Sequence, residues 1–378
     1  MEEEERLIGW VRGRHAGPML LCIGGLHGNE GAGVAALEEV AGRLASRATE
    51  MRGDFVALRG NVRALRAGKR FLRYDLNRAW GFGGPADEGD RHGRADEDAE
   101  VAELMEVLER VRAAARGHLY LLDLHTTSGA GGAFTTVGDS LDNRAFASAV
   151  PVPLVLGLEE LVEGTLVGRL SEEGWTTAVF ECGQHTEPEA RDRAAAAIWI
   201  LVRQARLLEP QAVPEAEAGH DALSREYGRF PKFLEMRYRH PVHEGDGYRT
   251  LPGLLNFQTV AQGDVLAEDL TGQVTAPETG RILMPLYQEQ GEDGFFVVRE
   301  FSRIWLAVSK TLRRLGVARV VHWLPGVSRD PAVPGALVAN RRVARWFALE
   351  LFHLLGYRRH LEERNRLVVV RRRRRFGS

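Results

Sequence analysis

Cysteine is almost missing from this chain. Two of its 378 residues are cysteines, Cys22 and Cys182, and both sit in apolar runs. That excludes a disulfide framework and points to a reducing, cytoplasmic setting. Long hydrophobic runs are missing too. The segments 18-PMLLCIGGL-26 and 152-VPLVLGL-158 are strand length, far short of the roughly 20 residues of a membrane span. The first residues, MEEEERLIGW, are acidic and hold no apolar stretch, so no secretory signal is expected. An excess of one charge is also lacking, with 50 Lys and Arg against 52 Asp and Glu. That balance hides an asymmetry. Residues 301–378 hold 18 basic and 4 acidic groups, leaving 32 basic and 48 acidic groups in the first 300 residues. Such a tail suits an acidic partner, an acidic body to pack on, or plain solvation. No function is built on it.

What is present is the composition of a globular protein, 44% apolar and 27% charged, long enough for two domains or a large catalytic domain with appendages. Over residues 1–210, short apolar runs alternate with amphipathic stretches. The pattern predicts an α/β fold with a mostly parallel sheet covered by helices. Candidate strands are Met19–Gly24, Phe55–Leu58, Leu119–Leu124, Pro153–Leu156 and Thr176–Phe180, and the segment Gly81–Arg94 reads as an exposed loop. Residues 211–226 lie in a Pro-, Ala- and Glu-rich stretch that reads as a linker. From 227 to 300, turn signals break up short apolar runs, as in a small antiparallel β-barrel or sandwich. Residues 301–378 read as a basic, α-rich extension, with a helix over Val338–Gly356 and a strand at Leu367–Val370.

Four segments carry chemistry. In 24-GGLHGNEGAG-33 a strand runs into a glycine-rich turn bearing His27 and Glu30. An imidazole and a carboxylate three residues apart form a metal pairing, a chance pair or a helix cap. The turn lacks both GxGxxG and a P-loop Lys-Ser/Thr, so it is a poor nucleotide site. In 119-LYLLDLHTTSG-129 a second strand delivers His125 to its carboxyl end, where open α/β sheets gather functional groups. With His27 and Glu30 it completes a His2Glu set, the ligand set of a catalytic zinc with one open position. Asp123, two residues earlier, suits a carboxylate behind the imidazole or a satisfied strand end. In 176-TTAVFECG-183 a third strand delivers Glu181, a general-base candidate or a strand-end ion-pair partner. Cys182 beside it reads as a small buried residue, not a nucleophile, and His185 follows closely. In 69-KRFLRYDLNRAW-80 lie Arg70, Arg73, Asn77 and Arg78, suited to binding a carboxylate or to facing solvent. No nucleic-acid motif accompanies them.

Taken together, HGNE at 27–30, DLNR at 75–78, DLHTT at 123–127 and FECG at 180–183 resemble the succinylglutamate desuccinylase/aspartoacylase family of the wider zinc-carboxypeptidase fold group. The resemblance covers roughly residues 1–300. It implies a mixed sheet flanked by helices, with a β-barrel-like domain over the mouth of the site. By it His27, Glu30 and His125 would hold one zinc ion per chain, and Glu181 would be base and proton shuttle. Arg70 would polarise the scissile carbonyl, while Asn77 and Arg78 would bind a substrate carboxylate. Aspartoacylases add a tyrosine to the pocket; the comparable stretch here carries Phe295 and Phe296, with Tyr287 a few residues earlier.

The function expected from this reading is a cytoplasmic, zinc-dependent amidohydrolase acting on an N-acyl amino acid. A metallocarboxypeptidase and a non-catalytic binding protein are the alternatives. The expected partner is a small carboxylate substrate, with neither membrane nor nucleic acid; homo-oligomerisation stays open.

Overall fold

A computed structural model of the chain describes residues 5–81, 96–158, 161–315, 317, 323, 327–329, 336–340, 357–363 and 366–371. The chain divides into two compact units. One comprises Met1–Gly138, Asp142–Ser171 and Trp175–Glu300; the other comprises Asp139–Leu141, Glu172–Gly174 and Phe301–Ser378.

In the first unit the strands are β1 (Leu7–Arg12), β2 (His15–Gly24), β3 (Arg52–Arg59), β4 (Leu119–Thr127), β5 (Phe134–Val137), β6 (Leu154–Leu156) and β7 (Thr176–Gln184). They continue as β8 (Phe233–Pro241), β9 (Arg249–Thr250), β10 (Thr259–Val260), β11 (Val265–Asp269), β12 (Gly272–Thr275), β13 (Gly280–Leu283) and β14 (Asp293–Glu300). Eleven of them form one mixed sheet in the order β1-β3-β2-β4-β7-β5-β6-β8-β14-β13-β10. Its centre, β3-β2-β4-β7, is parallel. Met19–Gly24 is buried along its whole length, as expected of a strand covered on both faces, which is why it reads as an unbroken apolar run.

Helices cover the sheet. Helix α1 (Gly31–Ala45) buries Gly33, Ala36, Leu37, Val40, Ala41 and Leu44, a single stripe at three- and four-residue spacing. After α2 (Val62–Ala67), helix α3 (Asp96–Ala114) buries Val101, Leu104, Val107, Leu108 and Val111 in one cluster with Met19, Leu21, Val56, Leu121 and Trp175. Truncating Leu104 or Leu108 to Ala would cost about 2–5 kcal/mol. The remaining helices of this unit are α4 (Leu141–Ala147), α5 (Leu166–Glu172), α6 (Glu189–Gln204) and α7 (Pro214–Tyr227).

Helix α7 corrects the linker expected at 211–226. A proline in its first turn is compatible with helix, and Ala216, Gly219, Leu223 and Tyr227 form a buried stripe. Gly219 has no side chain to collide with Ala196 of α6, where a Cβ would meet the Ala196 Cβ at 2.8 Å. The 227–300 segment also differs from expectation. Its β8, β14, β13 and β10 extend the large sheet through parallel pairing of β6 with β8. Only β12-β11-β9 form a sheet of their own. Turn signals reveal short strands but not the sheet they join.

The second unit holds helix α8 (Arg303–Arg314) and the strands β15 (Val327–Arg329), β16 (Ala336–Asn340), β17 (Tyr357–Glu363) and β18 (Arg366–Arg371). They pair antiparallel in the order β15-β16-β18-β17. The expected strand at Leu367–Val370 lies within β18. The helix expected over Val338–Gly356 is corrected at its start, because residues 338–340 are strand, with Val338 and Ala339 paired on both edges. Its remainder, 341–356, lies outside the described residues, as does 82–94 of the Gly81–Arg94 loop. The described part of this extension is therefore one helix and four strands, not α-rich. Among the described residues, no helix is long and apolar enough to cross a membrane.

Candidate active site

Strands β2, β4 and β7 run parallel and in register, with Gly24 opposite Leu124 and His125 opposite Glu181. Their carboxyl ends therefore reach the same edge of the sheet. The turn after β2 carries His27 and Glu30 into α1. Gly28 lets that turn press against α2, since a Cβ there would lie 2.1 Å from the Ala64 carbonyl carbon. Its amide donates to the Arg70 carbonyl at 3.0 Å, tying two functional loops together.

The donors meet in one buried cluster. His27 Nδ1 lies 2.7 Å from Glu30 Oε1, and His125 Nδ1 lies 3.0 Å from Glu30 Oε2. The Thr126 amide donates to the same Oε2 at 3.0 Å. Glu30 does not cap α1 with its side chain. His27, Glu30 and His125 are each buried and offer ligand atoms within 4.8 Å of one another. Each imidazole has its far nitrogen held by a carboxylate: His27 Nε2 by Asp75 Oδ1 at 3.0 Å and His125 Nε2 by Asp123 Oδ2 at 2.9 Å. This arrangement fixes the tautomer that turns Nδ1 toward the centre and makes it more basic, as metal-binding histidines require.

Electrostatics favour a cation there. Burial works against the charge on Glu30, but the fields of His27 and His125 and their hydrogen bonds outweigh it and hold its carboxyl well below the usual range. Burial likewise opposes ionised Asp75, which His27, Arg70 and Arg78 hold low. For His125 burial disfavours the imidazolium, yet Asp123 and Glu30 raise its pKa well above the ordinary value. A divalent ion among the three donors would supply the positive charge that this carboxylate-rich group otherwise draws from a proton on His125. Donor types, burial and backing carboxylates all fit zinc.

Glu181 stands on β7 opposite His125. It is buried, and its Oε2 has no hydrogen-bond partner among the described residues. Burial pushes its pKa up, Glu30 and Asp123 add to the rise, and His125 and Arg70 offset part of it, leaving it at about 8. A buried carboxylate with an open oxygen and a pKa near neutrality suits proton transfer. Cys182 is buried, and burial raises its thiol far above the reactive range.

The third loop is held from behind. Buried Glu97, at the start of α3, accepts from the Leu72 and Arg73 amides at 2.6 and 3.1 Å. Tyr74 donates its hydroxyl to Asp98 at 2.6 Å. Two acids of the first turn of α3 thus clamp the segment that carries Arg70, Asp75, Asn77 and Arg78. Arg70 Nη2 donates to Asp75 at 3.2 Å and its Nη1 lies 3.5 Å from Glu30. Arg78 pairs with Asp293 at 3.1 Å. The Asn77 side-chain oxygen accepts from the Leu166 amide at 3.1 Å. Arg73 is exposed and lies outside the cavity lining.

A cavity of about 140 Å³ takes in His27, Glu30, Arg70, Asn77, Arg78, His125 and Glu181, so the seven expected residues share one space. The sequence reading gave no role to Asp75, which stands in the same DLNR segment and backs His27 without lining the cavity. His185, 2.7 Å from Thr126 Oγ1 and 3.1 Å from Gln288 Oε1, also lines the cavity. Gln288 and Asp293 come from the β13–β14 connection and the start of β14, where nothing in the local sequence signals a site. Phe296 lines the cavity, whereas Phe295 is in the core. Tyr287 is not in the lining; its hydroxyl donates to the Leu251 carbonyl at 2.7 Å.

A family model described as the succinylglutamate desuccinylase/aspartoacylase catalytic domain matches residues 16–197. The succinylglutamate desuccinylase of Pseudomonas paraeruginosa is 35% identical over 116 residues, covering 31% of this chain and 33% of that protein. The Pseudomonas aeruginosa protein of the same name is 34% identical over 116 residues, with the same shares. The alignments thus span about a third of these relatives' length. Among solved structures, the product-bound ectoine utilization protein EutE (DoeB) from Ruegeria pomeroyi superposes with a TM-score of 0.54 at 21% identity, covering 76% of this chain and 87% of that one. A succinylglutamate desuccinylase/aspartoacylase from Rhodobacter sphaeroides gives 0.55 at 18% identity, covering 78% and 88%. These structural likenesses show a shared fold.

Proposed function

Because residues 16–197 belong to the succinylglutamate desuccinylase/aspartoacylase catalytic family, we propose that the protein is a zinc-dependent hydrolase that cleaves the amide bond of an N-acyl amino acid or a similar small carboxylate. The observation that carries this reading is the buried His27–Glu30–His125 group beside Glu181, whose Oε2 is unpartnered. When bound, zinc would polarise the amide carbonyl and lower the pKa of water toward about 7.

The chain's own residues supply the rest. Asp75 and Asp123 hold the two imidazoles with Nδ1 turned inward. Glu181 takes a proton from the attacking water as its oxygen bonds to the carbonyl carbon. It then gives that proton to the amide nitrogen as the C–N bond breaks, releasing an amine and a carboxylic acid. Arg70, fixed by Asp75, donates to the oxygen that becomes negative. Arg78 and the Asn77 amide group hold the substrate carboxylate and fix the scissile bond over the cluster. Both cysteines are free and buried, and we place the enzyme in the cytoplasm on that basis.

The test is release of primary amine by zinc-loaded protein from N-acetyl, N-succinyl and longer N-acyl amino acids, with short peptides alongside. Release from acyl amino acids that Glu181→Ala abolishes is the expected result. Cleavage of peptides alone would make the protein a carboxypeptidase, and silence across the panel would contradict the reading.

A further inference from the structure

Resting on the hydrolase reading above, we infer that the substrate carries one carboxylate next to an apolar group: an N-acyl derivative of an apolar amino acid, not of a dicarboxylic one. Beyond its polar cluster, the cavity lining includes the apolar side chains of Val137, Leu158, Val162, Val167, Val179 and Phe296, interspersed with Thr136 and Thr165. The apolar ones are core residues. Val162 and Phe296, with Leu158 against them, belong to one apolar cluster; Val167, with Val179 against it, belongs to another. The hydrophobic interior therefore opens into the binding space, where the lining adds neutral threonine hydroxyls but, among the described residues, no further guanidinium or ammonium group.

The charge balance points the same way. Among the described residues, Arg70 and Arg78 are the guanidinium groups that line the cavity. Arg70 is committed to Glu30 and Asp75. Arg78 shares the Asp293 carboxylate with Arg239, which reaches it from β8 and also donates to the Leu161 carbonyl at 3.2 Å. Arg78 also lies 3.8 Å from Asp75, so Arg70, Arg78 and Arg239 already face the carboxylates of Glu30, Asp75 and Asp293, and no guanidinium remains for a second substrate carboxylate beyond the one that Arg78 takes. Glu292 also contributes to the lining and repels a second. A second carboxylate laid on the valine wall would lose its hydration without a partner, whereas apolar groups there gain by leaving water.

Binding order reads this separately from turnover. Zinc-loaded Glu181→Gln protein is titrated by calorimetry with N-acetyl-L-leucine, N-acetyl-L-aspartate and N-succinyl-L-glutamate. The leucine compound is expected to bind at least about tenfold more tightly than either acidic compound, the scale on which apolar pockets discriminate. Native protein titrated with L-leucine and L-aspartate should give the same order and serves if the variant fails to fold. Equal or tighter binding of an acidic compound, or no binding of any, overturns the inference whether or not the native enzyme hydrolyses them. Hydrolysis of acidic acyl amino acids in preference to apolar ones would overturn it while leaving the hydrolase reading in place.

Discussion

Replacing Glu181 with glutamine should stabilise the metal-free protein at high pH while destroying its activity. Burial and two neighbouring carboxylates carry the Glu181 carboxyl from an ordinary 4.5 to about 8. At 1.36 kcal/mol per pH unit, that corresponds to up to ~5 kcal/mol in favour of the neutral form. Folding disfavours the ionised form, so the cost is absent below about pH 4.5, grows as the pH rises, and is complete above about 8. Glutamine is neutral throughout. Metal-free native and Glu181→Gln proteins should therefore melt together near pH 4.5, with the variant melting higher at pH 9. At roughly 2 °C per kcal/mol for a chain of this size, the gap would approach ~10 °C. Zinc should narrow it, because a cation beside Glu181 favours the ionised form. Thermal melts at both pH values, with and without zinc, make the measurement. A variant no more stable than the native protein at pH 9, or a gap unchanged between the two pH values, would show that folding does not hold Glu181 in its neutral form.

Other expectations follow from the same geometry. Asp75→Asn removes the charge behind His27 and should weaken zinc binding about 10–100-fold in a chelator competition while leaving the fold intact. Arg70→Ala should lower kcat by about 10²–10³ with zinc still bound, as measured by steady-state kinetics. Glu97→Ala frees the Leu72 and Arg73 amides, which lie outside the cavity lining; it should cost about 1–3 kcal/mol in denaturant melts and lower kcat more than it raises KM.

Much of the catalytic half was legible because its signals are local. Continuous apolar runs mark β2, β4 and β7 as strands buried on both faces, and the reactive side chains stand at their carboxyl ends. His27, Glu30, His125 and Glu181 were readable as candidates from those positions, with other readings open, and the resemblance supplied their roles. The remaining features depend on pairing across long sequence separations. Asp293 and Gln288 sit in a β-rich segment with no motif, and they reach the cavity only because β8 pairs with β6 and β14 with β8. Helix α7 was hidden by its composition: a proline and several acids look like a linker until Leu223 and Tyr227 are seen to be buried. At Val338 the apolar spacing suggested a helix, but pairing of β16 with both β15 and β18 decides the outcome there.

The proposed function requires a single-metal hydrolytic centre at His27, Glu30 and His125. Bound zinc and amine release measured on the same samples of native, Glu181→Gln and His125→Ala protein test it most directly. One zinc per chain with turnover is expected in the native protein, one zinc without turnover in Glu181→Gln, and neither in His125→Ala. Full turnover in chelated native protein, or undiminished zinc in His125→Ala, would contradict it.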